Sequence, residues 1–285
     1  MPPVRRAAAV AVLAAAVLAP LVLGCEESQR KDPLVIKAVA GNPQRTNLPM
    51  FQVRIVRLLN RVRPDAPLAG VWDLLGAAAV PHEKQALWEA NDLRLGRGGE
   101  EAIARLNNLL TNTADREAYV YTVAVRENMD FVVTFGSDRP TIDVLWSGSD
   151  GSLSGRHFEG AQVQFRVVCR GDPADPQAVA LAIVPEVVSG KEMLHWIEGP
   201  QGFSQQVSRS IFTLQELAAE ARLAPGEVLV VGGRASSPVS LGGAMFYEHR
   251  GPDLWVQTVV FQAQRLPAGA GLGQASQPGR PSPSP

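Results

Sequence analysis

The chain has 285 residues, 46% of them hydrophobic and 19% charged, a composition that excludes a disordered or fibrous protein. With 27 basic against 28 acidic residues the formal charge is −1, so nothing in the balance points to a polyanionic partner, and nucleic acid is not expected.

The chain begins with Arg5 and Arg6, then a charge-free run of 17 residues from Ala7 to Leu23, then Gly24 and Cys25. Glu26, Glu27, Ser28, Gln29 and Arg30 follow at once, so the hydrophobicity stops at the cysteine. A short basic segment, an apolar segment and a small residue before the cut describe a secretory signal peptide. An uncleaved anchor helix fits less well, because the run is at the short limit for spanning a bilayer and Pro20 interrupts it. The Gly24-Cys25 pair resembles a bacterial lipoprotein signal, with Leu23 standing where that family favours a smaller residue. The resemblance implies cleavage between Gly24 and Cys25 and lipidation of Cys25 with acyl chains such as palmitate. It implies a chain held at a membrane on the periplasmic side of the cell envelope, inner or outer membrane left open. Loss of residues 1–24 removes Arg5 and Arg6 and leaves 25 basic against 28 acidic residues, a charge of −3.

Residues 25–45 are polar, carry Pro33 and Pro43, and read as a tether. Residues 46–112 read as a small α/β module. Phe51, Val53 and Ile55 alternate with Gln52 and Arg54 in a strand, and helices are expected over 68–79, 82–90 and 100–110, with a short strand at 92–95. In the last helix Ile103, Leu106 and Leu110 form an apolar stripe, and Glu100 and Glu101 favour its positive end.

Residues 115–266 read as a mainly antiparallel β domain, giving an α+β fold class overall. The expected strands are 119–125, 131–135, 142–146, 163–168, 178–184, 228–231 and 254–263, separated by Gly, Ser, Asp and Pro clusters. Residues 211–222 are read as strand. The stretch from Ser189 to Ser204 reads as a loop, and within it Trp196 and Phe203 are candidates for a contact surface. From Pro267 to Pro285 the composition of Gly, Ala, Ser, Gln and Pro predicts a disordered tail.

Chemistry is sparse. His82, His157, His195 and His249 do not pair at metal-ligand spacing, so neither metal nor cofactor is expected. Gly151-Ser152-Leu153-Ser154-Gly155 has leucine where a nucleophile elbow needs serine. No catalytic constellation stands out, and the expectation is a protein that is not an enzyme. Cys169 falls in phase with Val163, Phe165 and Val167, which predicts a buried thiol. Arg54, Arg57, Arg61 and Arg63 read as a solvated basic rim.

Several segments of the β-rich half come in an order that resembles the C-terminal region of bacterial secretins. They are Gly160-Ala161-Gln162-Val163, Ile183-Val184-Pro185-Glu186-Val187, residues 226–233 (Gly-Glu-Val-Leu-Val-Val-Gly-Gly), Leu241-Gly242 and the apolar strand Val256 to Phe261. That resemblance implies a component of a secretion or pilus system, with protein partners in an envelope complex or a homo-oligomer. The alternative is a periplasmic lipoprotein that binds a peptide, glycan or small ligand in a pocket lined by residues such as Trp146 or Trp196.

Overall fold

A computed structural model of the chain describes residues 49–62, 72–77, 80–111, 113–199, 202–234 and 237–267. The expected signal peptide with Gly24 and Cys25, the tether, and the tail from residue 268 lie outside the described residues.

In chain order the elements begin with β1 (Met50–Arg61), β2 (Gly76–Ala77), α1 (His82–Ala90), β3 (Leu93–Gly98) and α2 (Glu100–Asn107). Four long strands follow after β4 (Arg116–Arg126): β5 (Asp130–Ser147), β6 (Leu153–Gly171), β7 (Val179–Gly199) and β8 (Gly202–Thr213). A 3-10 turn at Gln215–Leu217 leads to β9 (Ala219–Leu223), β10 (Val228–Gly233), α3 (Leu241–Phe246), β11 (Tyr247–Arg250) and β12 (Asp253–Arg265).

The described residues are mostly antiparallel β, in two sheets. One has seven strands in the order β2-β3-β10-β12-β1-β4, with β11 also on β12. The other has five, in the order β5-β6-β7-β8, with β9 also on β7. The expected module at 46–112 is not a sheet of its own. β1 lies between β12 and β4, in register from Phe51↔Arg265 to Arg61↔Trp255, and β3 pairs with β10. Strand alternation at 51–55 marks which face is buried, but it carries no information about which strand lies alongside.

The space between the sheets is filled by aromatic groups. Phe135 meets Phe165 edge-on at 5.0 Å and Phe246 at 5.1 Å, and Trp88 stacks on Phe165 at 6.0 Å. Such offset and edge-on pairs add about 0.5–1.5 kcal/mol each beyond their burial. The Trp88 indole N–H donates to Leu217 O at 2.8 Å, so the buried ring keeps its one polar group satisfied. A second, smaller core lies on the other face of the seven-stranded sheet, where Leu106 and Leu109 cover Val56, Leu58, Val230 and Val260.

Four local expectations change. Residues 76–77, expected inside a helix, form β2 because Gly96 and Gly98 leave β3 bare and the Leu75 side chain fills that space. Residues 211–222 are the end of β8, a 3-10 turn and β9 rather than one strand. Leu241-Gly242 opens a helix, α3, capped by Ser240 Oγ, which accepts from the Gly243 N–H at 3.0 Å. Glycine is required at 242, where a Cβ would lie 2.1 Å from Asp92 O. The loop expected from 189 to 204 is strand on both sides of residues 200–201.

Cys169 lies fully buried beside β7, its thiol pushed by burial from 9.0 up to about 12. Cys169→Ser should lower stability by about 1–3 kcal/mol, because the hydroxyl would enter an apolar site without a partner. Chemical denaturation measures this. The native thiol should also resist labelling. Because the folded state holds this proton more tightly than the unfolded chain, its share of stability should be complete below pH 9 and decline as pH rises towards 12. That slope should be missing in the serine variant.

Candidate assembly surface

The five-stranded sheet is continuous only in its lower half. The β5–β6 pairing runs from Asp130↔Val168 to Phe135↔Val163, shifts register, and resumes at Arg139↔Ala161. The β6–β7 pairing ends at Gln162↔Val188, and the β7–β8 pairing shifts between Ser189↔Ser210 and Met193↔Ser208. All three interruptions fall at one level. Gly136, Gly160 and Gly190 sit there with φ of +68°, +51° and +84°, a conformation that side chains resist.

Splitting a sheet leaves carbonyls without strand partners, here those of half-buried Gly160 and exposed Gly190, which take donors from side chains or water. Arg209 on β8 supplies them. Its Nε donates to Gly190 O at 3.1 Å, its Nη2 donates to Gly160 O, and its Nη1 reaches both Asp138 carboxylate oxygens at 3.0 Å. One guanidinium therefore bridges the level where the sheet divides.

Above that level two ribbons part. The β5–β6 ribbon, residues 139–161, curls back over the core. Ile142, Val144 and Phe158 are buried, Trp146 and Phe158 pack on Phe212 at 5.3 and 5.5 Å, and Leu145 N–H donates to Val239 O at 2.7 Å. Asn91, at the end of α1, holds the ribbon's tip: its Oδ1 accepts from Ser147 N–H at 2.8 Å and its Nδ2 donates to Ser147 O at 3.1 Å. The β7–β8 ribbon continues from Met193↔Ser208 to Gly199↔Gly202. Trp196 and Phe203 both belong to it, Trp196 opposite Gln205 and Phe203 opposite Glu198. The two contact candidates thus fall on one two-stranded ribbon, brought within two register positions by the turn.

Apolar side chains are left in water on both ribbons, at Leu153 and Met193, and just below their parting, at Ile211. Leu153 is 71% exposed, Ile211 58% and Met193 56%. Between them, on the face of the five-stranded sheet turned away from the core, Thr134, Gln164, Glu186 and Thr213 form one row across four strands. Glu186 is only 3% exposed and accepts from Gln164 Nε2 and Arg166 Nε at 2.8 Å and from Thr213 Oγ1 at 3.2 Å. A carboxylate so satisfied can stay buried.

The sequence-derived site residues are dispersed. Cys25 and Gly24 lie outside the described residues. His157 makes an exposed cross-strand pair with Asp143 at 2.8 Å, and no group of three metal-binding side chains occurs among the described residues. Trp146 packs against Phe212. Arg57, expected on a solvated rim, is fully buried, while Arg54 points to the opposite face of β1 and Arg61 bonds to Asp253 and Asp115. A residue reading could not see this, because three arginines at spacings of three and four occupy both faces of a strand. Arg209 was also missed. Only its place opposite a glycine-bearing bulge signals its role, and that depends on register.

No family model and no curated relative matches the chain. Among solved structures it is similar to the InvG secretin domain β-barrel from the Salmonella SPI-1 injectisome NC-base, at 13% identity and a TM-score of 0.17. The match covers 77% of this chain and 60% of that one, so this chain spans about three fifths of its length.

Arg209→Ala should cost about 0.5–1.5 kcal/mol, the usual net worth of a hydrogen bond, because Gly190 and Asp138 are exposed and Gly160 is half-buried. Arg209→Lys should not restore it, because a single ammonium cannot serve two carbonyls and a carboxylate in fork geometry. Thermal and denaturant unfolding of both variants checks this.

Proposed function

We propose that this chain is a lipid-anchored protein of the cell envelope with a structural or assembly role, acting as a secretin-like component and not as an enzyme. The observation that carries the reading is the division of the five-stranded sheet into two ribbons at the Arg209 level. A fold needing only a sandwich has no use for a strand as long as β7, whose 21 residues would span about 70 Å at ~3.3 Å per residue. A ribbon that leaves its sheet presents unpaired backbone groups and apolar side chains, which is what strand pairing between subunits requires. The order of segments from Gly160 to Phe261 supports the same reading, as does the Gly24-Cys25 signal, which would place the assembly at a membrane. Lipidation with more than one acyl chain would make the anchorage stable.

Two experiments test it. Native mass measurement of detergent-extracted protein should show a ring-sized multimer. Replacing residues 192–208 by an Asn-Gly turn should give a monomer with an unchanged unfolding midpoint, since that ribbon lies beyond the sandwich. A monomeric wild-type protein would overturn the assembly role. Separately, Cys25→Ala should abolish incorporation of labelled palmitate and leave the fold intact, and mass spectrometry should find Cys25 as the modified N-terminus. An unmodified Cys25 would remove the membrane anchor from the reading.

A further inference from the structure

The bulge in β5 opens a cleft of about 250 Å3 at one end of the sandwich. Gly136 and Arg139 form one wall, and Tyr247, Glu248 and His249 of β11 form another. The charges around it do not balance. Arg250 takes both nearby carboxylates, bonding to Glu248 through Nε and to Glu117 at 2.9 Å through Nη1. Arg57 and Arg139 are left with none bonded to them. The Arg57 side chain is fully buried, its Nε donates to Gln257 Oε1 at 2.7 Å, and its Nη1 and Nη2 have no hydrogen-bond partner. No hydrogen bond or ion pair reaches the half-buried Arg139 among the described residues, and Glu248 is the charged neighbour it senses. Glu248 is likewise the strongest charged influence on Arg57. Three guanidinium groups therefore share two carboxylates, and burial pushes both Arg57 and Arg139 below the ordinary arginine range.

Burying an uncompensated cation is costly, and a site that does so gains when an anion arrives. We infer that the cleft between Arg139 and β11 binds a single carboxylate group, carried by a small acid or by the end of a peptide chain. A carboxylate fits better than a dianion such as phosphate, because the excess is one positive charge and Glu248 at the wall would repel a second negative one. Its geometry also matches the two-pronged guanidinium fork of Arg139. The volume exceeds the roughly 30 Å3 of one water several-fold, leaving room for about one amino-acid residue behind the carboxylate. The inference stands whether or not the chain assembles.

The test uses the full chain and three probes: acetate, N-acetylalanine and N-acetylalaninamide. N-acetylalanine should shift the amide resonances of Gly136 and Glu248 saturably, and its amide should not. Acetate binding as tightly as N-acetylalanine assigns the site to small acids. N-acetylalanine binding more tightly assigns it to a chain end. Arg139→Gln should weaken binding by about tenfold or more, the loss expected for a charge-assisted pair, while leaving the unfolding midpoint near that of the wild type. Glu248→Gln should strengthen binding, a response that a purely structural role for these side chains would not give. Equal shifts from acid and amide, or an unchanged affinity in Arg139→Gln, would overturn the inference.

Discussion

The bonds from Arg209 to Gly160 O and Gly190 O settle how the five-stranded sheet ends. Below them the strands behave as one half of a sandwich, with Phe135, Val163, Phe165 and Val187 facing the core. Above them the sheet divides, and each pair of strands is free to follow its own path. Without that donor the carbonyls of Gly160 and Gly190 would turn to water, and the guanidinium link between them and Asp138 would be lost. Everything proposed about assembly depends on the ribbons, and the ribbons depend on this clamp.

The β5–β6 and β7–β8 ribbons are treated differently by the rest of the molecule. The β5–β6 ribbon is tied down by Asn91, by Val239 O and by the hydrogen bonds from Ser149 to Glu216. Its buried residues make it part of the core. The β7–β8 ribbon starts from exposed Lys191, Glu192 and Met193. The same glycine-bearing level therefore separates a ribbon packed into the core from one that begins among exposed side chains.

Much of the local structure was legible. The alternation in β1 and β12, the apolar stripe of α2 and the phase of Cys169 each depend on near neighbours, and each was read correctly from periodicity. What was not legible depends on partners far along the chain. That residues 51–61 pair with 255–265 merges the expected module into the main sheet, and no spacing within residues 46–112 encodes it. The burial of Arg57 follows from that pairing, since Gln257, which accepts its Nε–H, lies 200 residues away. The helix α3 was missed because two glycines argue against a helix, and here each is needed for close approach, Gly242 to Asp92 O and Gly243 to Ser237 O. The long strands were broken into short ones because bulge glycines at 136 and 190 look like turn residues until their neighbours across the sheet are known.

The pairing of β1 with β12 also sets an order of events for a chain that emerges N-terminus first. β1 is a central strand, flanked by β4 and β12, so one of its edges stays open until β12 has been synthesised. Closing a loop of this length costs little more than closing one half as long, only about 0.6 kcal/mol per doubling, yet contacts so distant in sequence slow folding considerably. During that interval a twelve-residue edge containing Phe51, Val53, Ile55 and Leu58 is unpaired and sticky. Any truncation before Asp253 would leave that edge of β1 permanently unpaired.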